Sequence, residues 1–291
     1  MIFRYVLIVF ILIIILLQFI RPRSASTVST NSSWFIQSFG NLDFAWEDVP
    51  MDWKYILNQE RLDRELLVTK LNYSQFALTH KRQWLYLDYI QKALKKSGIP
   101  SDFQYLPMIE SYLKETVVSA AGAAGMRQFM PWTAIKYWLI VNEFVDQRFD
   151  PFLSTDAAML YLKDLYSIFD NWTLVLAAYN RWEYGLQSDM QNQFQFWYYD
   201  LYLNNETHRF VFRALAMKYL MQDRYSYFDP SILWEQYSLP NIQTIQVWAI
   251  QDLRIRAKDN WHSYLQVKQL NPRIRKNLLP DGKWAIRVFK D

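Results

Sequence analysis

The chain has 291 residues, 52% apolar, 18% aromatic and 21% charged, with a formal net charge of +4 and no cysteine. That apolar fraction suffices to bury a core in one or two domains and excludes general disorder. The lack of cysteine excludes disulfide scaffolds, thiolate zinc sites and cysteine nucleophiles. With only six glycines, Gly-rich phosphate loops and hairpin-rich β folds are poor candidates, and a mostly helical chain is expected.

Tyr5 to Ile20 is an apolar run broken only by Gln18, with Arg4 before it and Arg21-Pro22-Arg23 after it. It has the character of a signal anchor or signal peptide over residues 1–23. At 1.5 Å per residue its 16 residues reach about 24 Å, slightly short of a ~30 Å hydrocarbon core, a mismatch that local thinning and snorkelling arginines absorb. The flanking arginines balance, so they do not orient it. Residues 24–50, rich in Ser, Thr and Asn and then Trp and Phe, read as a linker.

Helical periodicity begins near Met51. Leu57, Leu62, Leu66 and Leu67 recur at helix spacing, as do Trp84, Leu87, Ile90 and Leu94. Lys95-Lys96, then Gly98 and Pro100, mark a helix end. A further helix is expected from Ser101-Asp102 towards Glu110, with Pro107 in its first turns or kinking it. Helical segments follow at 154–168, 171–180 and 207–221. From about residue 240 the pattern alternates and carries Val and Ile, which suggests a small α+β piece. Residues 252–291 hold ten Lys or Arg against four Asp, a local charge of +6 suited to solubility or to an anionic surface.

Two segments carry candidate chemistry. Glu110 ends an apolar stretch and is followed by Ser111, and twelve residues after Glu110 comes Gly122-Ala123-Ala124-Gly125-Met126-Arg127-Gln128-Phe129-Met130-Pro131. Ala177-Ala178-Tyr179-Asn180 forms the second. Apolar surroundings disfavour an ionised carboxylate and raise its pKa towards that of a general acid. Gln128, Tyr179 and Asn180 add hydrogen-bonding groups nearby, and the glycines permit close backbone approach. Taken singly, each has a bland alternative: a solvated helix-end Glu, tight Gly-Ala packing, a commonplace tetrapeptide. Their joint spacing is more specific.

Together these residues resemble the lytic murein transglycosylases of the soluble-transglycosylase superfamily, nearest the membrane-bound D subgroup. The pattern is Glu110-Ser111, Gly122 through Thr133-Ala134, and Ala178-Tyr179-Asn180, with Val145-Asp146-Gln147-Arg148, Asp150-Pro151 and Ser154-Thr155 between them. Glu60 to Leu66 and Glu206-Thr207 extend the likeness to roughly residues 53–225. It implies a mainly α, lysozyme-like (goose-type) helical catalytic domain at 97–236. An N-terminal helical extension would occupy 51–96, and a small C-terminal α+β module, a degenerate peptidoglycan-binding module, 237–291.

The implied activity is non-hydrolytic cleavage of the β-1,4 MurNAc-GlcNAc bond of peptidoglycan, leaving 1,6-anhydromuramic acid ends. Glu110 would be catalytic, with Ser111, Gln128, Met130, Tyr179 and Asn180 binding substrate. No metal or cofactor is expected, since His80, His208 and His262 lack ligand spacing. The expected partners are peptidoglycan strands and, through the N-terminal segment, a membrane, with no role for nucleic acid. The implied location is the bacterial cell envelope, the catalytic domain facing the periplasm or cell wall. The competing reading is a non-catalytic peptidoglycan-binding or scaffold protein in the same fold; a hydrolase would need a second carboxylate, for which Glu183 is a candidate. Arg127, Trp132 and Arg181-Trp182 depart from the pattern, standing where the family has an apolar residue, a small residue and a small pair such as Ala-Gly.

Overall fold

The computed structural model of the chain describes residues 42–259 and 263–290. The apolar run at 5–20, His262 and most of the 24–50 stretch lie outside them. Among the described residues, no helix is long and apolar enough to cross a membrane.

Helices dominate, as composition predicts. Helix α1 (Ile56–Leu71) is followed by α2 (Tyr73–Ser97). Leu62 and Leu66 are buried and carry the inner face of α1, whereas Leu57 and Leu67, and Trp84 on α2, lie on the outer side. Helix α2 stops where its sequence says: Gly98 takes φ 68° and its N–H returns to the Leu94 and Lys95 carbonyls. A left-handed C-cap of this kind suits glycine. A 3-10 turn, Ser101–Tyr105, leads into α3 (Leu106–Ser111), with Pro107 in the first turn of the helix, where it costs no hydrogen bond.

The remaining body contains α4 (Pro131–Lys136), α5 (Pro151–Phe169), α6 (Trp172–Arg181), α7 (Glu183–Gln193) and α8 (Asn205–Gln222). Two short helices follow, α9 (Arg224–Tyr227) and α10 (Pro230–Leu233). Helix α8 is central. Phe210, Val211, Phe212, Ala214, Leu215 and Ala216 are all buried, and α1, α3 and α6 pack against it. A helix apolar on most sides is a core helix.

Within the expected linker, residues 42–50 instead belong to the fold. Strands β1 (Asp43–Phe44) and β2 (Glu47–Asp48) form an antiparallel hairpin. Phe44 is buried edge-on against Phe103, with centroids 5.6 Å apart. Glu47 accepts the backbone N–H groups of Trp172 and Thr173 at 2.6 and 3.0 Å. A carboxylate on those N–H groups satisfies orphan donors and complements the helix dipole, so the hairpin braces the helix that carries Tyr179 and Asn180.

The C-terminal piece is α+β. Strand β3 (Ile242–Val247) pairs antiparallel with β4 (Trp284–Phe289), in register from Ile242↔Phe289 to Val247↔Trp284. Helices α11 (Leu253–Asp259) and α12 (Tyr264–Leu270) lie between them in sequence. Its small core of Val247, Ile250, Leu253, Val267, Ile274, Ile286 and Val288 includes Val145 from the helical body. The backbone also joins the two: Asp146 N–H donates to the Arg273 carbonyl at 2.8 Å, and Arg275 N–H to that of Phe144 at 2.7 Å. Beneath them the fully buried Asp150 is ion-paired with both Arg273 and Arg287.

Candidate active site

Glu110 sits on the last turn of α3. The helix ends abruptly because Tyr112 and Leu113 adopt left-handed backbone (φ 55° and 60°), their N–H groups returning to Met108 and Pro107. Four of the six α3 residues, Leu106, Pro107, Met108 and Ile109, are buried and apolar, and Glu110 itself is only partly exposed. Desolvation pushes its carboxyl up from the ordinary 4.5 to about 8. Arg213 and Arg127 pull in the opposite direction, and Glu206 adds to the rise. Glu110 is therefore mainly protonated at neutral pH, the state a general acid requires.

The segment after α3 turns back on itself through paired residues, Val118 with Ala124 and Ala124 with Phe129. Gly125 is obligatory there: at φ 77°, an added Cβ would lie 1.8 Å from the Arg148 carbonyl oxygen. Arg148 clamps the loop from behind. It pairs with Asp146 at 2.7 Å, and its Nη1 donates to the carbonyls of Gly122 and Phe129 at 2.9 and 3.0 Å.

Each expected site residue has a definite place. Ser111 is buried, its Oγ donating to the Met126 and Pro107 carbonyls at 2.9 and 3.1 Å, which ties the end of α3 to the loop. Gln128 takes φ 51°, and its Nε2 donates to Gly125 at 2.8 Å and Val117 at 3.3 Å. Met130 is partly exposed and precedes α4 as its N-cap residue. Tyr179 is buried and donates to the Arg127 carbonyl at 2.8 Å, close enough to Glu110 for the carboxylate to help raise its pKa after desolvation. Asn180 lies inside α6 and accepts from Thr207 Oγ1 on α8 at 3.0 Å. The structure thus gathers Glu110, Ser111, Arg127 and Tyr179, with Gln128 on the same loop. In it, the Ser111 and Tyr179 hydroxyls face backbone carbonyls.

Three further charged groups bear on the site. Arg127 is fully buried; its Nε and Nη2 reach Thr155 Oγ1 at 3.4 and 3.2 Å, while Nη1 meets no acceptor among the described residues. Desolvation lowers its pKa to about 10, which leaves it charged where Glu110 titrates. On α8, Arg213 pairs with Glu206 at 3.3 Å and lies 3.7 Å from the buried Glu65 of α1, which Arg209 also holds at 2.6 Å. Periodicity cannot reveal that α8 presents Arg213 to Glu110, because the two lie about a hundred positions apart. A cavity of about 230 Å³ flanks this cluster, lined by Ile109 and Tyr112 beside Glu110 and by Glu65, Gln75, Arg209 and Arg213. Glu183, the alternative second carboxylate, is buried and held by Tyr161 at 3.3 Å and Lys136 at 3.4 Å. His80 and His208 are each bonded locally, to Gln83 and to the Leu203 N–H, and desolvation lowers both to about 4.

Residues 88–196 match the family model of the Transglycosylase SLT domain. The membrane-bound lytic murein transglycosylase D of Escherichia coli K12 is 31% identical over 149 residues, 49% of this chain and 32% of that protein. The chain therefore spans about a third of the length of that curated relative. Among solved structures, the 70 kDa soluble lytic transglycosylase of Escherichia coli aligns at 18% identity and TM-score 0.42, over 64% of this chain and 37% of the other. An inactive mutant of lytic transglycosylase Slt from Pseudomonas aeruginosa aligns at 21% identity and TM-score 0.40, over 50% of this chain and 25% of the other.

Proposed function

We propose, from the match of residues 88–196 to the transglycosylase SLT domain, that this protein is a peptidoglycan lytic transglycosylase acting at Glu110. The observation that carries the proposal is the placement of the motif glutamate at the end of the buried, apolar helix α3, beside the Ser111–Met126 and Tyr179–Arg127 contacts, where desolvation raises its pKa. Glu110 donates its proton to the glycosidic oxygen between N-acetylmuramic acid and N-acetylglucosamine. The substrate's own N-acetyl oxygen supports the positive charge that develops at C1. Glu110, now a carboxylate, takes the proton of the C6 hydroxyl, whose oxygen closes onto C1 to give the 1,6-anhydro ring. Intramolecular attack outruns water because its effective molarity far exceeds the ~55 M of the solvent.

Arg213 and Arg127 support the second half of this cycle, since they favour the carboxylate that burial disfavours. Two-carboxylate hydrolysis needs a base free to activate water. Glu183 is tied to Tyr161 and Lys136, and Glu206 to Arg213. Ser111, Gln128, Met130, Tyr179 and Asn180 shape the cleft. The 5–20 run is read as a membrane anchor or leader that delivers the domain to the cell envelope, and residues 237–291 as a wall-contacting module. Glu110→Gln is expected to abolish release of soluble fragments from purified peptidoglycan while its circular dichroism matches that of the parent. Fragment release by that variant would reject the assignment of Glu110.

A further inference from the structure

Trp132 and Trp182 stand where the family pattern has a small residue and, with Arg181, a small pair. The structure shows what the second position demands. Trp182 joins α6 to α7 at φ 66° and ψ 149°, backbone that glycine occupies and side-chain-bearing residues avoid. A tryptophan there is maintained against local strain, and strain of that kind collects at functional sites. It is not burial that keeps it: Trp182 is 46% and Trp132 47% exposed. The two rings meet edge to face, 5.1 Å apart at 88°, a favourable aromatic geometry that fixes both indoles.

Their placement in the chain ties them to two motif residues. Trp132 lies two residues beyond Met130 and Trp182 two beyond Asn180, so each Cα is within about 7 Å of that of a motif residue. Behind the pair, α4 and α7 are bridged by Lys136 and Glu183 at 3.4 Å. Half-exposed aromatic faces held this close in the chain to motif residues suit the apolar face of a pyranose ring.

We propose that Trp132 and Trp182 form a stacking platform for a sugar of the glycan strand beyond the pair that reacts at Glu110. The platform rests on the glycan reading of the cleft. It makes the site selective for longer strands, because only they reach it, and its binding energy is independent of bond cleavage.

The test uses the 291-residue chain carrying Glu110→Gln, so that binding is read without turnover. Chito-oligosaccharides of two and six N-acetylglucosamine units are titrated by calorimetry into this parent and into versions that add Trp182→Gly or Trp132→Ala. The parent is expected to bind the hexamer more tightly than the dimer, and each tryptophan change to shrink that gain by about tenfold. Glycine accepts the backbone at position 182, so that variant should fold, and Trp132→Ala serves as the independent second. An undiminished gain would show that the indoles do not hold the strand, a larger one that they block a subsite; either would overturn the proposal, as would a parent with no preference for the hexamer. Catalytic failure of the Glu110-bearing chain, alongside a lost gain in the variants, would reject the transglycosylase reading while leaving the platform in place.

Discussion

At the scale of single residues, the burial of Glu110 costs the fold stability. Its folded pKa, about 8, lies above its ordinary 4.5. Below 4.5 both folded and unfolded chains carry the proton. Between the two values only the folded chain keeps it, so stability falls as pH rises and levels off above 8. Glu110→Gln should therefore melt higher than the parent, by little at pH 4 and by an amount on the order of a few kcal/mol at pH 9. Thermal unfolding across that range checks the sign, and a gain largest in acid would contradict it. Arg127 acts on the same carboxyl from a buried position without a carboxylate partner of its own among the described residues. Arg127→Met should raise the Glu110 midpoint, and Arg127→Lys should leave it nearly in place. The carbon-13 shift of the carboxyl, identified by its loss in Glu110→Gln, reads this directly; a midpoint unmoved in Arg127→Met would remove Arg127 from the account.

Among the elements, the loop between α3 and α4 depends on contacts far from it in sequence. Gly125 leaves no room for a Cβ against Arg148, so Gly125→Ala is expected to cost about 3 kcal/mol or more and to disorder the Gln128 loop. Urea unfolding measures that cost, and a loss below about 1 kcal/mol would show that the loop can draw back from the Arg148 backbone at little expense. Much at this level was legible in the sequence. The end of α2 at Gly98, the early Pro107 in α3, and the segments that became α5, α6 and α8 all follow from local chemistry. What could not be read depends on tertiary approach. Nothing local to residues 42–50 announces that Phe44 packs on Phe103, or that Glu47 caps a helix over a hundred residues later. The stripe containing Leu57 and Leu67 looks like core by spacing, yet its partner α8 covers only the Leu62–Leu66 side.

For the molecule as a whole, the C-terminal α+β piece is fastened to the helical body. Its +6 charge, read from sequence as available for an anionic surface, is partly internal: Arg273 and Arg287 are spent on Asp150. Desolvation pushes the Asp150 carboxyl up, but the hydrogen bond and charge of Arg287, with the charge of Arg273, outweigh it and hold the group below its usual range. Its contribution is present above the unfolded pKa and is lost as pH falls through the folded one. Replacing both arginines by Met leaves a buried carboxylate unpaired and should cost about 3–5 kcal/mol at pH 7, less in acid. Residues 42–290 should accordingly unfold in one transition; a separate early melt of the 237–291 segment would contradict this fastening.

The most direct measurement is mass spectrometry of the fragments that the 291-residue chain releases from purified peptidoglycan, beside the Glu110→Gln variant. Muropeptides ending in 1,6-anhydromuramic acid are expected, one water lighter than hydrolysed ends and absent with the variant. Reducing muramic acid ends would contradict the lytic transglycosylase assignment and establish a hydrolase with a water-activating base.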